Sequence, residues 1–216
     1  MNPVAARRQM VDQQIRTWEV LDPVVLDVLA SVPREAFVPA GYQDLAFADT
    51  PIPIGFGETM LAPKLQGRIL QALGIKRGDG VLEIGTGTGY LCACLSLLAA
   101  ESTSIDIRGE FVTMAKQNMH AVPEANPRIE TRDAFGVEPL GQFDAIAVTA
   151  SLPVYDTRFE RALTIGGRLF VVVGVAPVME AMLVRRVDAS EWVRESLFET
   201  VIPPLVGAVP AARFVF

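Results

Sequence analysis

A glycine-rich turn between a predicted strand and a predicted helix constrains this chain more than any other segment. Residues 80–84 form a short apolar run, and their length and β-branched content are typical of a buried parallel strand. Gly85, Gly87 and Gly89 follow at alternate positions, and residues 90–100 have the pattern of an apolar helix. Backbone N–H groups and a helix N-terminus face a ligand at such a turn, and glycine lets that ligand approach the backbone. We therefore predict an α/β fold with a ligand at this turn.

An acidic residue lies where a ribose would be bound. Residues 102–107 form the next predicted strand, and Asp106 stands near its end, about twenty residues beyond the glycine turn. A carboxylate at this place accepts hydrogen bonds from the two hydroxyls of a ribose. The predicted ligand is therefore an adenosine-type cofactor.

The spacing of the glycines distinguishes between two such cofactors. The dinucleotide fingerprint Gly-x-Gly-x-x-Gly would need a glycine at Tyr90. The sequence instead has Glu-x-Gly-x-Gly-x-Gly from Glu83 to Gly89, which resembles the first motif of class I S-adenosylmethionine (SAM) methyltransferases. A glycine turn without a ligand is the alternative, and the position of Asp106 argues against it.

Composition excludes several other classes of protein. The 216 residues suit one α/β domain, residues 1–216, with an N-terminal extension. A net charge of −6 argues against general nucleic-acid binding, and no apolar run approaches the roughly 20 residues that cross a membrane. Cys92 and Cys94 point to different helix faces and the chain has one histidine, so we predict no metal site. The charged N-terminus lacks the pattern of a secretory signal, which predicts a cytoplasmic protein.

Two segments precede the predicted Rossmann-like core, which spans residues 79–216. Residues 1–50 form a helical extension, in which Asp22 and Pro23 begin a helix and residues 34–39 are extended. Residues 51–78 contain a loop and a helix. The loop, residues 51–63, has too many prolines and glycines for a regular helix or a central strand, yet it is too apolar for a linker. It is predicted either to cover the substrate and cofactor or to be a structural connection.

The core alternates as a doubly wound sheet should. The predicted helices are residues 109–120 and 156–163, and Gly166 and Gly167 close the second one. The predicted strands are residues 128–132, 143–149, 168–175, 179–187 and 193–202. The last two strands should form an antiparallel pair. Ligands collect at the carboxyl ends of parallel strands, so the glycine turn, Asp106, Asp133, Ala150 and Ser151 should share one crevice. Asp133 would accept a hydrogen bond from an adenine or cap its own loop.

Several segments, in order, resemble protein-L-isoaspartate O-methyltransferases. They are residues 32–39 (VPREAFVP), 51–59 (PIPIGFGET), 81–90 (VLEIGTGTGY), 143–146 (FDAI) with Thr149 and Ala150, 166–169 (GGRL) and 202–207 (IPPLVG). Nearly the whole chain is covered, and the first two segments are specific to this family.

The resemblance implies a SAM-dependent enzyme on a seven-stranded, mostly parallel sheet. Such an enzyme methylates the carboxylate of isoaspartyl residues in damaged proteins and releases S-adenosyl-L-homocysteine. Thr59 would lie beside the reacting groups, and the isoaspartyl-containing peptide or protein is the expected partner. The implied cofactor-binding residues are Glu83, Gly85, Thr86, Gly87, Thr88, Gly89, Tyr90, Asp106, Ile107, Asp133 and Ala134.

Three positions depart from the family pattern. The family's active-site serine falls on Leu61, its usual histidine on Phe56, and its Gly-Asp-Gly loop is altered around Asp133. Three hypotheses follow: an isoaspartyl methyltransferase with a modified loop, a methyltransferase of the same fold with a less polar acceptor, or a SAM-binding protein without catalysis. The sequence predicts no oligomeric state.

Overall fold

A seven-stranded sheet forms the centre of the protein. The computed structural model describes residues 2–137 and 139–209. In spatial order the strands are β5 (Arg128–Thr131), β4 (Glu101–Asp106), β3 (Gly80–Ile84), β6 (Phe143–Leu152), β7 (Leu163–Val175), β8 (Val178–Asp188) and β9 (Glu191–Glu199). The first five are mutually parallel, and β8 and β9 are antiparallel to their neighbours. The predicted mostly parallel, seven-stranded sheet is confirmed.

Both faces of the sheet are buried, as the apolar strand sequences require. Successive residues of β6 contribute to two different cores, Ala145 and Ala147 to one and Ile146 and Val148 to the other. Because side chains alternate between the faces of a strand, an uninterrupted apolar run needs cover on both sides. The helices are α1 (Pro3–Met10), α2 (Pro23–Ser31), α3 (Pro63–Leu73), α4 (Tyr90–Leu98), α5 (Gly109–Asn118) and α6 (Thr157–Arg161). Helices α2, α3 and α4 cover the first face and α6 covers the second.

The start of β7 differs from the sequence prediction. Helix α6 ends at Arg161, and β7 begins at Leu163, so Gly166 and Gly167 lie inside a strand instead of closing a helix. The register between β6 and β7 shifts at this point. A Cβ on Gly167 would lie only 2.8 Å from the carbonyl oxygen of Thr164. Gly167 therefore serves a closely packed part of the strand, and Gly166 allows its irregular course with φ of 83°.

The N-terminal extension is helical, as predicted, but it is interrupted. Helix α1 continues into a π-helical turn (Val11–Ile15) and a 3₁₀ turn (Arg16–Trp18) before α2 begins. The predicted cap of α2 is confirmed, because the Asp22 carboxylate accepts a hydrogen bond from the Val24 N–H at 2.9 Å. The prediction of an extended chain over residues 34–39 is wrong for Arg34–Phe37, which form a 3₁₀ turn. This turn places Arg34 and Phe37, three residues apart, in the buried interior.

Residues 51–63 are not the irregular loop that their prolines predicted. They contain an antiparallel hairpin of two short strands, β1 (Ile52–Gly55) and β2 (Glu58–Met60), and then begin α3. Both strands of a two-stranded sheet are edges, where proline is tolerated. Phe56 and Gly57 form the turn with φ angles of 55° and 80°. Helix α3 ends at Leu73, with Gly74 in the left-handed region.

The buried side chain of Arg34 connects the extension to the rest of the protein. Its Nε donates to the carbonyl of Ala46 at 2.8 Å and its Nη2 donates to the carbonyl of Leu61 at 2.8 Å. Its Nη1 donates to the side-chain oxygen of Gln66. The guanidinium also lies 5.0 Å from the ring centroid of Tyr90. Burial lowers the pKa of Arg34 to about 10, so the group stays charged at neutral pH.

We expect Arg34→Met to destabilise the fold by about 3 kcal/mol or more, because three buried oxygen acceptors would lose their donor. Urea unfolding measures the change. Arg8→Met is the matched control, since Arg8 is exposed. A loss below about 1 kcal/mol in the Arg34 variant would contradict the role assigned to this side chain.

Candidate functional site

A crevice with a cavity volume of about 80 Å³ opens at the carboxyl ends of the parallel strands. The glycine turn forms its floor, the β1–β2 hairpin forms one side, and residues 204–206 form another. The lining residues are Ile54, Glu58, Thr59, Ile84, Gly85, Gly87, Ile105, Asp106, Ile107, Arg108, Phe111, Arg132, Asp133, Ala134, Thr149, Ala150, Pro204, Leu205 and Val206. The predicted crevice at the strand ends is thus present. Of the residues expected there, Ser151 is fully buried and does not line it.

The close approach of β6 explains the first glycine of the turn. The Thr149 hydroxyl lies 3.0 Å from the carbonyl oxygen of Ile84 and 2.8 Å from that of Gly85. A Cβ on Gly85 would collide with this hydroxyl, and Gly85 has φ of 100°. Glycine is therefore required here by the neighbouring strand as well as by any ligand.

Asp106 organises the turn from the end of β4. One carboxylate oxygen accepts a hydrogen bond from the Gly87 N–H at 3.1 Å, and the other accepts from the Arg108 N–H at 3.0 Å. The residue is buried and lines the crevice, and each oxygen retains a further lone pair. The geometry fits a group that binds the hydroxyls of a ribose. That role stays a prediction.

We expect Asp106→Ala to weaken the binding of S-adenosyl-L-homocysteine about tenfold or more, because a charged acceptor is lost and the Gly87 N–H loses its partner. Isothermal titration calorimetry measures the dissociation constant. Glu110→Ala, an exposed acid on α5, is the control. Equal affinities for the Asp106 variant and the control would exclude Asp106 as a cofactor ligand.

Glu83 lies below the turn in a fully buried polar chain. The Ser104 hydroxyl donates to its carboxyl group, and the hydroxyls of Thr86 and Ser104 lie 2.7 Å apart. Burial raises the pKa of Glu83 to about 8. Its carboxyl group is therefore mostly protonated at neutral pH, and a buried negative charge is avoided.

The raised pKa of Glu83 makes the stability of the fold depend on pH. Since the folded pKa of about 8 exceeds the ordinary value of 4.5, the stabilisation from the protonated form is complete below pH 4.5. It is lost as the pH rises through 8. We expect Glu83→Gln to gain on the order of a few kcal/mol relative to wild type between pH 5 and pH 9.

Urea unfolding at the two pH values tests this expectation. Glu195→Gln on β9 is the control, because Glu195 is exposed. If the difference in unfolding free energy between wild type and Glu83→Gln were the same at both pH values, the carboxyl group of Glu83 would not be held protonated.

A smaller inner cavity of about 40 Å³ adjoins the crevice. Ile54, Thr59, Gly85, Gly87 and Thr149 line both spaces, while Leu61, Gln66, Glu83, Thr86, Thr88 and Tyr90 are among the residues that line the inner one alone. The Thr59 hydroxyl is enclosed and has no hydrogen-bond partner among residues 2–137 and 139–209. An enclosed polar group without a partner is costly, and a ligand that bonds to it removes the cost. The Thr59 hydroxyl is therefore able to form a hydrogen bond to a ligand at the junction of the two spaces.

The remaining predicted cofactor residues have mixed positions. Ile107 and Ala134 line the crevice. Asp133 also lines it, but one of its oxygens accepts a hydrogen bond from the Phe135 N–H at 2.8 Å and so caps its own loop. Gly89 lines neither space. A Cβ on Gly89 would lie 2.9 Å from Cβ of Ala115, so this glycine lets α5 pack closely.

Sequence reasoning missed a cluster at the mouth of the crevice. The Phe56 ring packs edge-on against Phe111, with the centroids 5.6 Å apart, and the Arg108 guanidinium lies 4.5 Å from the Phe56 centroid. Glu58 lies beside them, and burial raises its pKa. The only sequence signal was Phe56 itself, because the contacts join segments more than fifty residues apart.

The sheet, the glycine turn and the acid at the end of β4 define a class I methyltransferase. A family model described as Protein-L-isoaspartate(D-aspartate) O-methyltransferase (PCMT) matches residues 5–209. A Protein-L-isoaspartate O-methyltransferase of Koribacter versatilis is 36% identical over 93% of this chain and 90% of its own length. One from Methanoregula boonei is 37% identical over 93% of each chain. The chain belongs to the protein-L-isoaspartate O-methyltransferase family and is a SAM-dependent O-methyltransferase.

Solved structures agree on the fold. A Plasmodium falciparum protein described as a protein-L-isoaspartate O-methyltransferase in complex with S-adenosyl-L-homocysteine superimposes with a TM-score of 0.79 at 20% identity, covering 92% of this chain and 97% of its own. A second protein-L-isoaspartate O-methyltransferase gives a TM-score of 0.77 at 23% identity, covering 94% and 67%.

Two features are absent from the part of the chain that the structure describes. Over those residues, no helix has the length and apolar character needed to cross a membrane. Nor do three or more histidine, cysteine, aspartate or glutamate side chains in that part come together as a possible metal site.

Proposed function

We propose that this protein transfers the methyl group of SAM to the carboxylate of isoaspartyl residues in peptides and proteins. The family match over residues 5–209 supports the reaction. The single structural observation that carries the proposal is the enclosed, unpartnered Thr59 hydroxyl at the junction of the crevice and the inner cavity. A hydroxyl in this place can donate to an acceptor carboxylate. The predicted cytoplasmic location stays a prediction.

The residues of the crevice suit the binding of both reactants. When bound, SAM supplies a methyl group on a positively charged sulfur, which a carboxylate oxygen can accept in an in-line displacement. Asp106 would bind the ribose hydroxyls, and the glycine turn would lie along the methionine part. A carboxylate is already ionised at neutral pH, so the protein needs no strong general base. Its task is to hold the carboxylate in line, and such positioning can lower a barrier by roughly 7–11 kcal/mol.

Leu61 makes the inner cavity less polar than a serine would. The side chain is buried and lines the cavity, and its carbonyl is held by Arg34 at 2.8 Å. Because that bond involves the backbone, a substitution at this position changes the wall of the cavity without freeing the main chain. Leucine offers no donor, and an apolar wall adds a desolvation cost for a carboxylate.

A second candidate function follows from the same residue. With Leu61 in the inner cavity and Phe56 at the mouth of the crevice, 55% exposed, the acceptor would be a less polar molecule methylated on the same fold. Thr59 would then orient a neutral oxygen.

We expect Leu61→Ser to raise the rate of isoaspartyl peptide methylation about tenfold, because a hydroxyl that bonds to the carboxylate contributes about 1.5–3 kcal/mol. The measurement uses labelled SAM and an isoaspartyl peptide. The matching aspartyl peptide and a reaction without peptide are the substrate controls. Leu61→Ala is the control variant, since it removes the apolar wall without adding a donor.

The outcomes separate the candidates. Transfer to the isoaspartyl peptide above both controls supports the proposal. No transfer to the peptide, with turnover of a small apolar acceptor, favours the second function. Binding of SAM without transfer to the peptide or to any component of a cell extract would indicate a protein without catalysis.

A further inference from the structure

We propose that the side-chain amide of Gln66 is a carboxylate-binding donor of the inner cavity and replaces the donor that Leu61 lacks. The inference rests on the proposed function in one respect, that the site binds ligands carrying carboxylates. Two carboxylates are candidates for this contact: that of the isoaspartyl acceptor and that of the methionine part of the cofactor.

Arg34 fixes the orientation of the Gln66 amide. An arginine side chain can only donate hydrogen bonds, so the atom that faces its Nη1 must be the amide oxygen of Gln66. The NH₂ group of the planar amide is then directed away from that bond. Gln66 is 3% exposed, and therefore the side chain has little freedom to turn over.

The NH₂ group of Gln66 is open to an acceptor. Gln66 lines this cavity together with Thr59 and Leu61. Among the residues that the structure describes, the NH₂ group donates no hydrogen bond, and it does not belong to the enclosed atoms without a partner. A buried amide that satisfies its oxygen and leaves its two N–H donors open is arranged to receive an acceptor.

The amide also lies beside the backbone of Leu61. The two terminal nitrogens of one guanidinium, that of Arg34, bond to the Leu61 carbonyl and to the Gln66 oxygen. The two residues are therefore held side by side on the same wall of the cavity. A donor from Gln66 can serve a ligand that a serine at position 61 would otherwise contact.

The charges around the cavity favour an anion at neutral pH. The positive charge of Arg34 lies behind the Gln66 amide, and a donor bonded to the amide oxygen strengthens the N–H groups on the other side. Glu83, which also lines the cavity, has its pKa raised to about 8 by burial and presents no full negative charge below that pH. Thr59 adds a second donor. Together these groups form a site for a carboxylate.

The test uses two variants of Gln66 in the full-length protein. Gln66→Glu keeps an oxygen acceptor for Arg34 but removes the NH₂ donor and adds a charge. Gln66→Met has a similar volume and removes the donor without adding a charge, although it also removes the acceptor for Arg34. Gln117→Glu, exposed on α5, controls for the change in net charge. Thermal unfolding establishes that each variant is folded.

Three probes distinguish the source of the carboxylate. They are S-adenosyl-L-homocysteine, 5′-methylthioadenosine, which lacks the amino-acid part, and an isoaspartyl peptide in the methylation assay. If Gln66 binds the cofactor, both variants weaken the homocysteine compound about tenfold and leave 5′-methylthioadenosine unchanged. If Gln66 binds the acceptor, neither nucleoside is affected, and kcat/KM for the peptide falls about tenfold. In either case, adding Leu61→Ser to Gln66→Met restores part of the loss.

Other results would overturn the proposal. It fails if both variants bind all probes as the wild type does, or if only Gln66→Glu is impaired, because charge repulsion alone would then explain the effect. The nucleoside measurements do not require turnover. A wild type that binds S-adenosyl-L-homocysteine but never methylates the peptide would contradict the proposed function, while the affinities of the variants would still decide the role of Gln66.

Discussion

The guanidinium of Arg34 holds together four parts of the chain between Ala46 and Tyr90. It bonds to the carbonyl of Ala46 in the N-terminal extension, to the carbonyl of Leu61 after the hairpin, and to Gln66 on α3. It also lies against Tyr90, the first residue of the helix after the glycine turn. A buried charge is expensive unless every donor finds an acceptor, so these four parts can take only one arrangement around it. The wall of the inner cavity is set by that arrangement.

Local patterns predicted the centre of the fold, and contacts between distant segments decided the rest. The β3 strand, the glycine turn and Asp106 follow one another within about twenty-five residues, so their spacing alone predicted both the fold and the crevice. The hairpin was missed because proline excludes a central strand, whereas an isolated pair of edge strands tolerates it. The start of β7 was missed because two glycines are typical of a helix end, whereas the carbonyl oxygens of Thr164 and of Asp144 on β6 approach Gly167 closely inside the strand.

For the site, too, local sequence patterns predicted one part, and contacts between distant segments decided the other. The spacing predicted the residues of the turn and the acid, and the structure brings most of them together. The spacing gave no signal for Arg108, Phe111 or Gln66. Their roles in the site depend on which residues they contact in the folded protein. For Gly89, the motif suggested a contact with the ligand. In the structure, the missing side chain of Gly89 lets α5 pack closely against the turn.

A segment far along the chain, residues 204–206, contributes a wall of the crevice. Ser151, near the end of β6, donates its N–H to the carbonyl of Pro203 at 2.8 Å and accepts from the Leu205 N–H at 2.8 Å. Its hydroxyl donates to the carbonyl of Ile202 at 3.1 Å. These bonds place residues 204–206 beside the glycine turn, although well over a hundred residues separate the two segments in sequence. During synthesis from the N-terminus, the glycine turn and Asp106 therefore leave the ribosome well before the segment that completes the crevice. Any ligand that needs this wall of the crevice can stabilise the fold only after residue 206 has been made.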